Sequence, residues 1–292
     1  MDHRMMYSNR RSFMDRWGRW ALSVAGGASV LAAQGASPKK LSTGTQVDAL
    51  TQPTDLSWFA NKGELIVGFV SEDDAPFFYE KGGETMGLEL ELAKRFAQSL
   101  NLQLKVDRSA KTYQEIVDWV ADKKIHIGFH STPTFKRVQK VSFSNAYCKL
   151  PHSLILNRVE MAKLSNGSGI EKVLRQFSGT LGILANSAWD EFAAENFPKA
   201  KVVGFPSWEG VANAVLSGRI VCGYRNEFYT RKILKSNPSR ALSLKIVSFN
   251  DLSHELSFAV SHDNKILKEL LNEFVSHRTG QLHLEHLLRP MV

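Results

Sequence analysis

The sequence predicts an α/β protein of two lobes, each a mostly parallel sheet flanked by helices. Short apolar runs alternate with helical periodicity along most of the chain, and the same plan repeats in its second half. At 292 residues the chain is also long enough for two cores. In open sheets of this kind ligands sit at the carboxyl ends of strands, so a site is expected in the crevice between lobes.

The elements follow in order. MDHRMMYSNRRSFMDRWGRW is basic and precedes the apolar, small-residue run ALSVAGGASVLAA, the layout of a cleaved export signal too short for a membrane span. Residues 1–35 are read as that signal, cleaved near Ala33-Gln34-Gly35, and Arg10-Arg11-Ser12-Phe13 resembles a twin-arginine export motif. A general secretory signal that happens to hold two arginines is the alternative. No cysteine lies near the cleavage zone, which argues against a lipid anchor. The polar, aperiodic residues 36–55 are read as a flexible linker.

ELIVGFV (64–70) reads as a buried strand ending in the acidic turn SEDDAP. Leu88, Leu92, Phe96 and Leu100 recur every four residues and mark an amphipathic helix. LQLKV is a strand, TYQEIVDWVADKK a helix with Tyr113, Ile116, Val117 and Val120 on one face, and IHIGFH a strand again. Strands separated by helices of this length imply parallel β-α-β units. In the second half HSLILN, LGIL, KVVGF and RIVCGY read as strands, with helices opened by capping residues at Ser187, Ser207 and Asn226. LKIVSF and LSFAV read as two further strands, followed by a helix over DNKILKELLNEFVSHRTG with Asp263 as its cap and Gly280 past its end.

Composition narrows the function. With 43% hydrophobic residues, 23% charged and 9 prolines, the chain has globular composition. Its net charge of +8 is scattered, without the basic and aromatic interleaving of single-strand binding, so no nucleic-acid partner is expected. Residues 1–35 account for +3 of it, five arginines against two aspartates, which leaves +5. Cys148 and Cys222 read as buried small hydrophobes rather than a disulfide framework. His126 and His130 lie ~13 Å apart on one strand face, too far for one metal ion. His283 and His286 lack a third ligand nearby, so no metal or other cofactor is expected. No hydrolase, zinc-protease or nucleotide-binding signature occurs. The remaining aromatics fall mostly at helical spacing and read as core.

Five motifs, in order and spacing, carry a resemblance: GELIVGFVSEDDAPFFY, MGLELELAKRFAQSL, STPTFKRVQKVSFSNAY, LGILANSAWDEF and GRIVCGYRNEF. Together they closely resemble the extracytoplasmic solute-binding proteins of family 3, the polar amino-acid type that serves ATP-binding-cassette importers. The similarity spans about residues 58–288. It implies a type II periplasmic-binding-protein clamp with a hinge of two crossover strands, near 148–152 and 250–256. Lobe 1 would comprise residues 56–149 and the return segment 250–292, and lobe 2 residues 150–249.

The resemblance implies further that Arg137, in the TxxxxR pattern, grips a ligand carboxylate, with Thr132 beside it. A guanidinium fork meets a carboxylate in bidentate fashion, a geometry lysine does not copy. A surface ion pair of Arg137 is the bland alternative. In lobe 2 the family's Gly-Thr-Thr-like turn corresponds to Asn186-Ser187-Ala188, where Ser187 and the Ala188 amide would complete the anion site, or serve only as a helix cap.

Three departures bear on the ligand. The family's acidic partner for an α-ammonium group corresponds to Asn226, with Glu227 next, and asparagine supplies no countercharge. The aromatic lid expected before Ala75-Pro76-Phe77 is Asp74, which with Glu72 and Asp73 either favours a cationic group or forms a solvated acidic turn. IHIGFHST is one residue short, which leaves the register of His130 and Ser131 open.

The function expected is therefore a monomeric periplasmic receptor, not an enzyme, for a small carboxylate, above all an amino acid, feeding a membrane permease. Two alternatives stay open: a sensing module with a membrane signalling partner, and a cleft enzyme such as a dehydratase using an acid like Glu227.

Overall fold

A computed structural model describes residues 63–279 and Leu287. The expected export signal and linker, and Gly280, His283 and His286, lie outside the described residues.

The first part of the chain forms β1 (Glu64–Val70), a hairpin of β2 (Tyr79–Lys81) and β3 (Glu84–Met86), α1 (Leu88–Ser99) and β4 (Gln103–Ala110). Next come α2 (Tyr113–Ala121), β5 (Ile127–Ser131), the single turn α3 (Phe135–Val138) and β6 (Ser142–Phe143). β1 pairs in parallel with β4 on one side and β5 on the other. Leu65 and Val67 are buried between helices that cover both faces.

β7 (Cys148–Asn157) then crosses to the second lobe, where α4 (Arg158–Ser165), α5 (Ile170–Arg175), β8 (Thr180–Leu184), α6 (Trp189–Asn196) and β9 (Lys201–Phe205) follow. α7 (Trp208–Leu216), β10 (Cys222–Asn226) and α8 (Glu227–Ser236) complete it. β8 pairs in parallel with β9 and β10, and β10 runs antiparallel to β7. Return is by β11 (Leu244–Val260), leading into α9 (Lys265–Phe274).

The two long strands β7 and β11 lie antiparallel at the centre of the strand order β4-β1-β5-β11-β7-β10-β8-β9. The first half of β11 pairs with β7 in lobe 2, and its end pairs with β5 and β6 in lobe 1. These are the two crossover strands of the clamp.

Several boundaries differ from the sequence reading. LKIVSF and LSFAV form one strand, because the polar Asn250-Asp251 segment between them makes only a break in register opposite β7, between Ser248 and Ser253. The last helix starts after Asn264 instead of Asp263, whose exposed carboxylate pairs with Lys123 at 2.6 Å. RIVCGY enters the ladder only at Cys222. The hairpin β2–β3 and helices α4 and α5 carried too little apolar periodicity to be read.

One glycine is decisive for the site. Gly87 has φ of +133°, and a Cβ there would lie 2.1 Å from the Phe77 carbonyl oxygen. That close approach docks the start of α1 on the Pro76-Phe77 backbone, through Leu88 N–H to the Pro76 carbonyl at 2.9 Å and Glu89 N–H to that of Phe77 at 3.0 Å. Glu89 is thereby carried into the interior. Cys148 and Cys222 are free and buried, and burial pushes the Cys148 thiol up to about 12 and that of Cys222 up as well.

Candidate functional site

On the lobe 1 wall, His130, the penultimate residue of β5, lies in the left-handed region, with φ of +50°. This breaks the alternation of side chains and settles the register. The His130 ring packs edge-on to Phe77 at 4.7 Å and against Tyr113 at 5.3 Å, while Ser131 turns back to donate to the Phe129 carbonyl at 3.1 Å.

His130 lies between two carboxylates. Its Nδ1 is 2.9 Å from Glu89 Oε1, and its Nε2 is 3.8 Å from Asp74 Oδ2. Glu89 is fully buried and also accepts from the Tyr147 hydroxyl. Asp74 accepts from the hydroxyls of Tyr113, at 3.0 Å, and Tyr229. Burial of His130 opposes its charge, but the Glu89 and Asp74 carboxylates outweigh it and hold its pKa above the ordinary histidine value.

Arg137 sits in α3, whose first turn is capped by Thr134. It is 2% exposed. Its Nε donates to Gln114 Oε1 at 3.3 Å and its Nη1 to the Thr132 carbonyl at 3.2 Å, but its Nη2 has no acceptor. Burial lowers its pKa to about 10, against the pull of Glu191 and Asp190, so it stays cationic at neutral pH. Glu191 of lobe 2 accepts from the Thr134 hydroxyl and, at 3.2 Å, from Lys136 N–H, so the lobes touch beside the arginine.

On the lobe 2 wall, the Ser187 hydroxyl donates to the Leu184 carbonyl at 2.6 Å and accepts from Trp189 N–H at 3.2 Å. The Ser187 N–H donates to Asp190 at 2.9 Å. Asn226 Oδ1 caps α8 by accepting from Tyr229 N–H at 3.3 Å, and its Nδ2 lies 3.4 Å from His254 Nε2. Arg225 is 5% exposed, with its guanidinium 3.7 Å from the centre of the Tyr229 ring. Its Nε has no acceptor. Behind it the rings of His254 and His152 lie 5.2 Å apart. Burial lowers the His152 pKa to about 4, and burial, His152, His130 and Arg225 hold His254 low too.

These walls line an inner cavity of about 30 Å³ and, beside it, an outer one of about 410 Å³ that shares Tyr113, Arg225 and Tyr229 with it. Of the sequence-predicted site residues, His130, Thr132, Arg137, Ser187, Ala188 and Asn226 line the inner cavity and Asp74 the outer. Ser131 and Phe77 line neither, and Phe77 is instead packed beneath His130. Glu227, the candidate acid of a cleft enzyme, pairs with Arg231 and lines neither cavity.

Three residues that line both cavities escaped the sequence reading: Tyr113, Arg225 and Tyr229. Tyr113 was assigned to a core face, yet it stands at the first position of α2 and sends its hydroxyl to Asp74. Arg225 directly follows the run RIVCGY read as a strand, and in the structure it lies within β10, every residue of which is buried. Among the described residues no three His, Cys, Asp or Glu side chains are grouped to hold a metal, and no helix is long and apolar enough to cross a membrane.

Residues 65–288 match the profile of the bacterial extracellular solute-binding proteins, family 3. The chain belongs to this family. The arginine-binding extracellular protein ArtP of Bacillus subtilis is 26% identical over 141 residues, 48% of this solute-binding protein. The match spans only about half, 51%, of that relative's own length. Among solved structures, the amino acid transporter substrate-binding protein AbpA of Streptococcus pneumoniae, bound to L-arginine, superposes with a TM-score of 0.63 at 21% identity. It covers 80% of this chain and 96% of its own. The ancestral amino acid-binding protein AncCDT-1, a precursor of cyclohexadienyl dehydratase, gives 0.62 at 21% identity over 82% of this chain and 99% of its own. At such identities the structures share the fold of this solute-binding protein, a two-lobed α/β clamp.

Proposed function

We propose that this solute-binding protein is an exported receptor that captures a small carboxylate-bearing solute, an amino acid or close relative of one, between its lobes. It hands that solute to a membrane permease and works as a monomer in the periplasm. The observation that carries the reading is Arg137: a buried guanidinium lining the inner cavity, cationic at neutral pH, whose Nη2 has no acceptor among the described residues. A carboxylate arriving there gains a charge-assisted hydrogen bond and relieves a buried charge. Kinship with a family of extracellular solute-binding proteins, including an arginine binder, supports the solute class and the permease.

Calorimetric titration of the wild-type protein with a panel of amino acids and organic acids tests the reading. For whichever carboxylate binds, Arg137→Ala is expected to weaken affinity about 30-fold or more while the protein stays folded. Unchanged affinity in the variant rejects it.

A further inference from the structure

The cleft floor holds two arginines from opposite lobes, and neither meets a carboxylate among the described residues. Arg137 keeps Nη2 without an acceptor and Arg225 keeps Nε without one. Among the described residues the Arg225 guanidinium rests on the face of Tyr229 and, farther off, the Trp208 ring at 5.6 Å. Arg108 and Arg240 also keep an Nε without an acceptor among the described residues, but these two and Arg231 each pair their charge with an acid, which Arg137 and Arg225 do not. Buried, unpaired guanidinium groups are costly, and one ligand carboxylate compensates only one of them.

Their places also differ. Arg137 lines only the inner cavity, whereas Arg225, with Tyr113 and Tyr229, lines both and so lies on the boundary they share. A ligand with one carboxylate against Arg137 would present its next functional group to Arg225.

The position for a ligand cation is already taken. His130 fills the space between Glu89 and Asp74, and Asp74 accepts two tyrosine hydroxyls besides. Asn226 spends its oxygen on the cap of α8. At the mouth, Asp73 is paired with Arg108 and Glu209 with Arg240, each at 2.6 Å, and Glu72 is exposed to water. The acidic turn read from the sequence therefore presents no unpaired buried charge to an ammonium group.

Resting on the carboxylate role of the Arg137 site, we propose that Arg225 holds a second carboxylate, so that the solute is a small dicarboxylate and an amine on it is dispensable. The fork geometry of the arginine favours a carboxylate over a point anion.

The test is calorimetry on the full exported chain with glutarate, butyrate, L-glutamate and L-arginine. Glutarate is expected to bind about tenfold or more tighter than butyrate, with L-glutamate within about threefold of glutarate. Arg225→Gln is expected to erase the glutarate advantage while butyrate affinity moves by less than about threefold. Butyrate or L-arginine binding as tightly as glutarate overturns the proposal, as does an Arg225→Gln protein that keeps the glutarate advantage. The wild-type comparison decides even where that variant fails to fold. If Arg137→Ala abolishes butyrate binding but glutarate has no advantage, only the second-carboxylate assignment falls. If none of the four ligands binds, the receptor reading beneath it falls too.

Discussion

At the mouth of the cleft, Asp73 and Glu209 meet Arg108 and Arg240 at 2.6 Å, with about half of each acidic side chain open to water. On the floor, Arg137 and Arg225 are almost fully buried and meet no acid among the described residues. The mouth arginines have their charge paired with an acid, although the Nε of Arg108 and of Arg240 lacks an acceptor among the described residues, and such half-exposed pairs contribute at most about 1 kcal/mol each. The floor arginines are buried, only partly hydrogen-bonded and without an acid partner among the described residues, so a carboxylate brought to them gains more. On the proposed reading, binding energy is concentrated where the protein has left its own charges without an acid partner.

The floor also sets the response to acid. His254 lines the inner cavity and His152 packs against it, and both rings are neutral in the folded protein. For His152 the folded value of about 4 lies below the ordinary 6.5. Its contribution to stability is therefore complete above pH 6.5 and lost as pH falls towards 4, a change of about 3 kcal/mol. His130 has the opposite sign: its raised value makes its contribution complete below 6.5 and lost as pH rises through that value. Denaturant unfolding from pH 4 to 8 is expected to show a steep acid loss that His152→Phe reduces, leaving the part due to His254. An unchanged acid limb in His152→Phe contradicts the assignment of neutral histidines beneath a cationic floor.

The mouth offers the smallest effect and the sharpest contrast. Arg108→Ala removes the partner of Asp73 and Glu80, a hydrogen bond to the Ser71 carbonyl and a contact with the Phe78 ring, and is expected to cost about 1–2 kcal/mol of stability. Solute affinity, read by calorimetry, should change by less than about threefold. A loss comparable to that of a floor arginine would erase the distinction between the two regions.

Much of this was legible from sequence. The strands around Leu65-Ile66-Val67 and Lys201–Phe205 declare themselves by short apolar or β-branched runs. Asn226 and Ser207 declare themselves as caps by residue type and position, and both accept the expected backbone N–H. Arg137 was singled out by its place in a motif, and it does reach the inner cavity.

What escaped depends on contacts between distant segments. Periodicity gave Tyr113 to a core because it cannot show that Asp74, 39 residues away, waits for its hydroxyl. The alternation rule left Ser131 and His130 in doubt because a single left-handed residue at His130 is invisible in the sequence pattern. Arg225 needed the neighbouring Tyr229 and the absence of a nearby acid among the described residues before its burial had meaning.

The most direct test of the central claim is the affinity of Arg137→Lys for whichever carboxylate the wild-type protein binds. Lysine keeps the positive charge but loses the planar fork. Calorimetry should show a loss of about tenfold or more, with the denaturation midpoint close to that of the wild type. An Arg137→Lys protein that binds as tightly as the wild type would contradict the account.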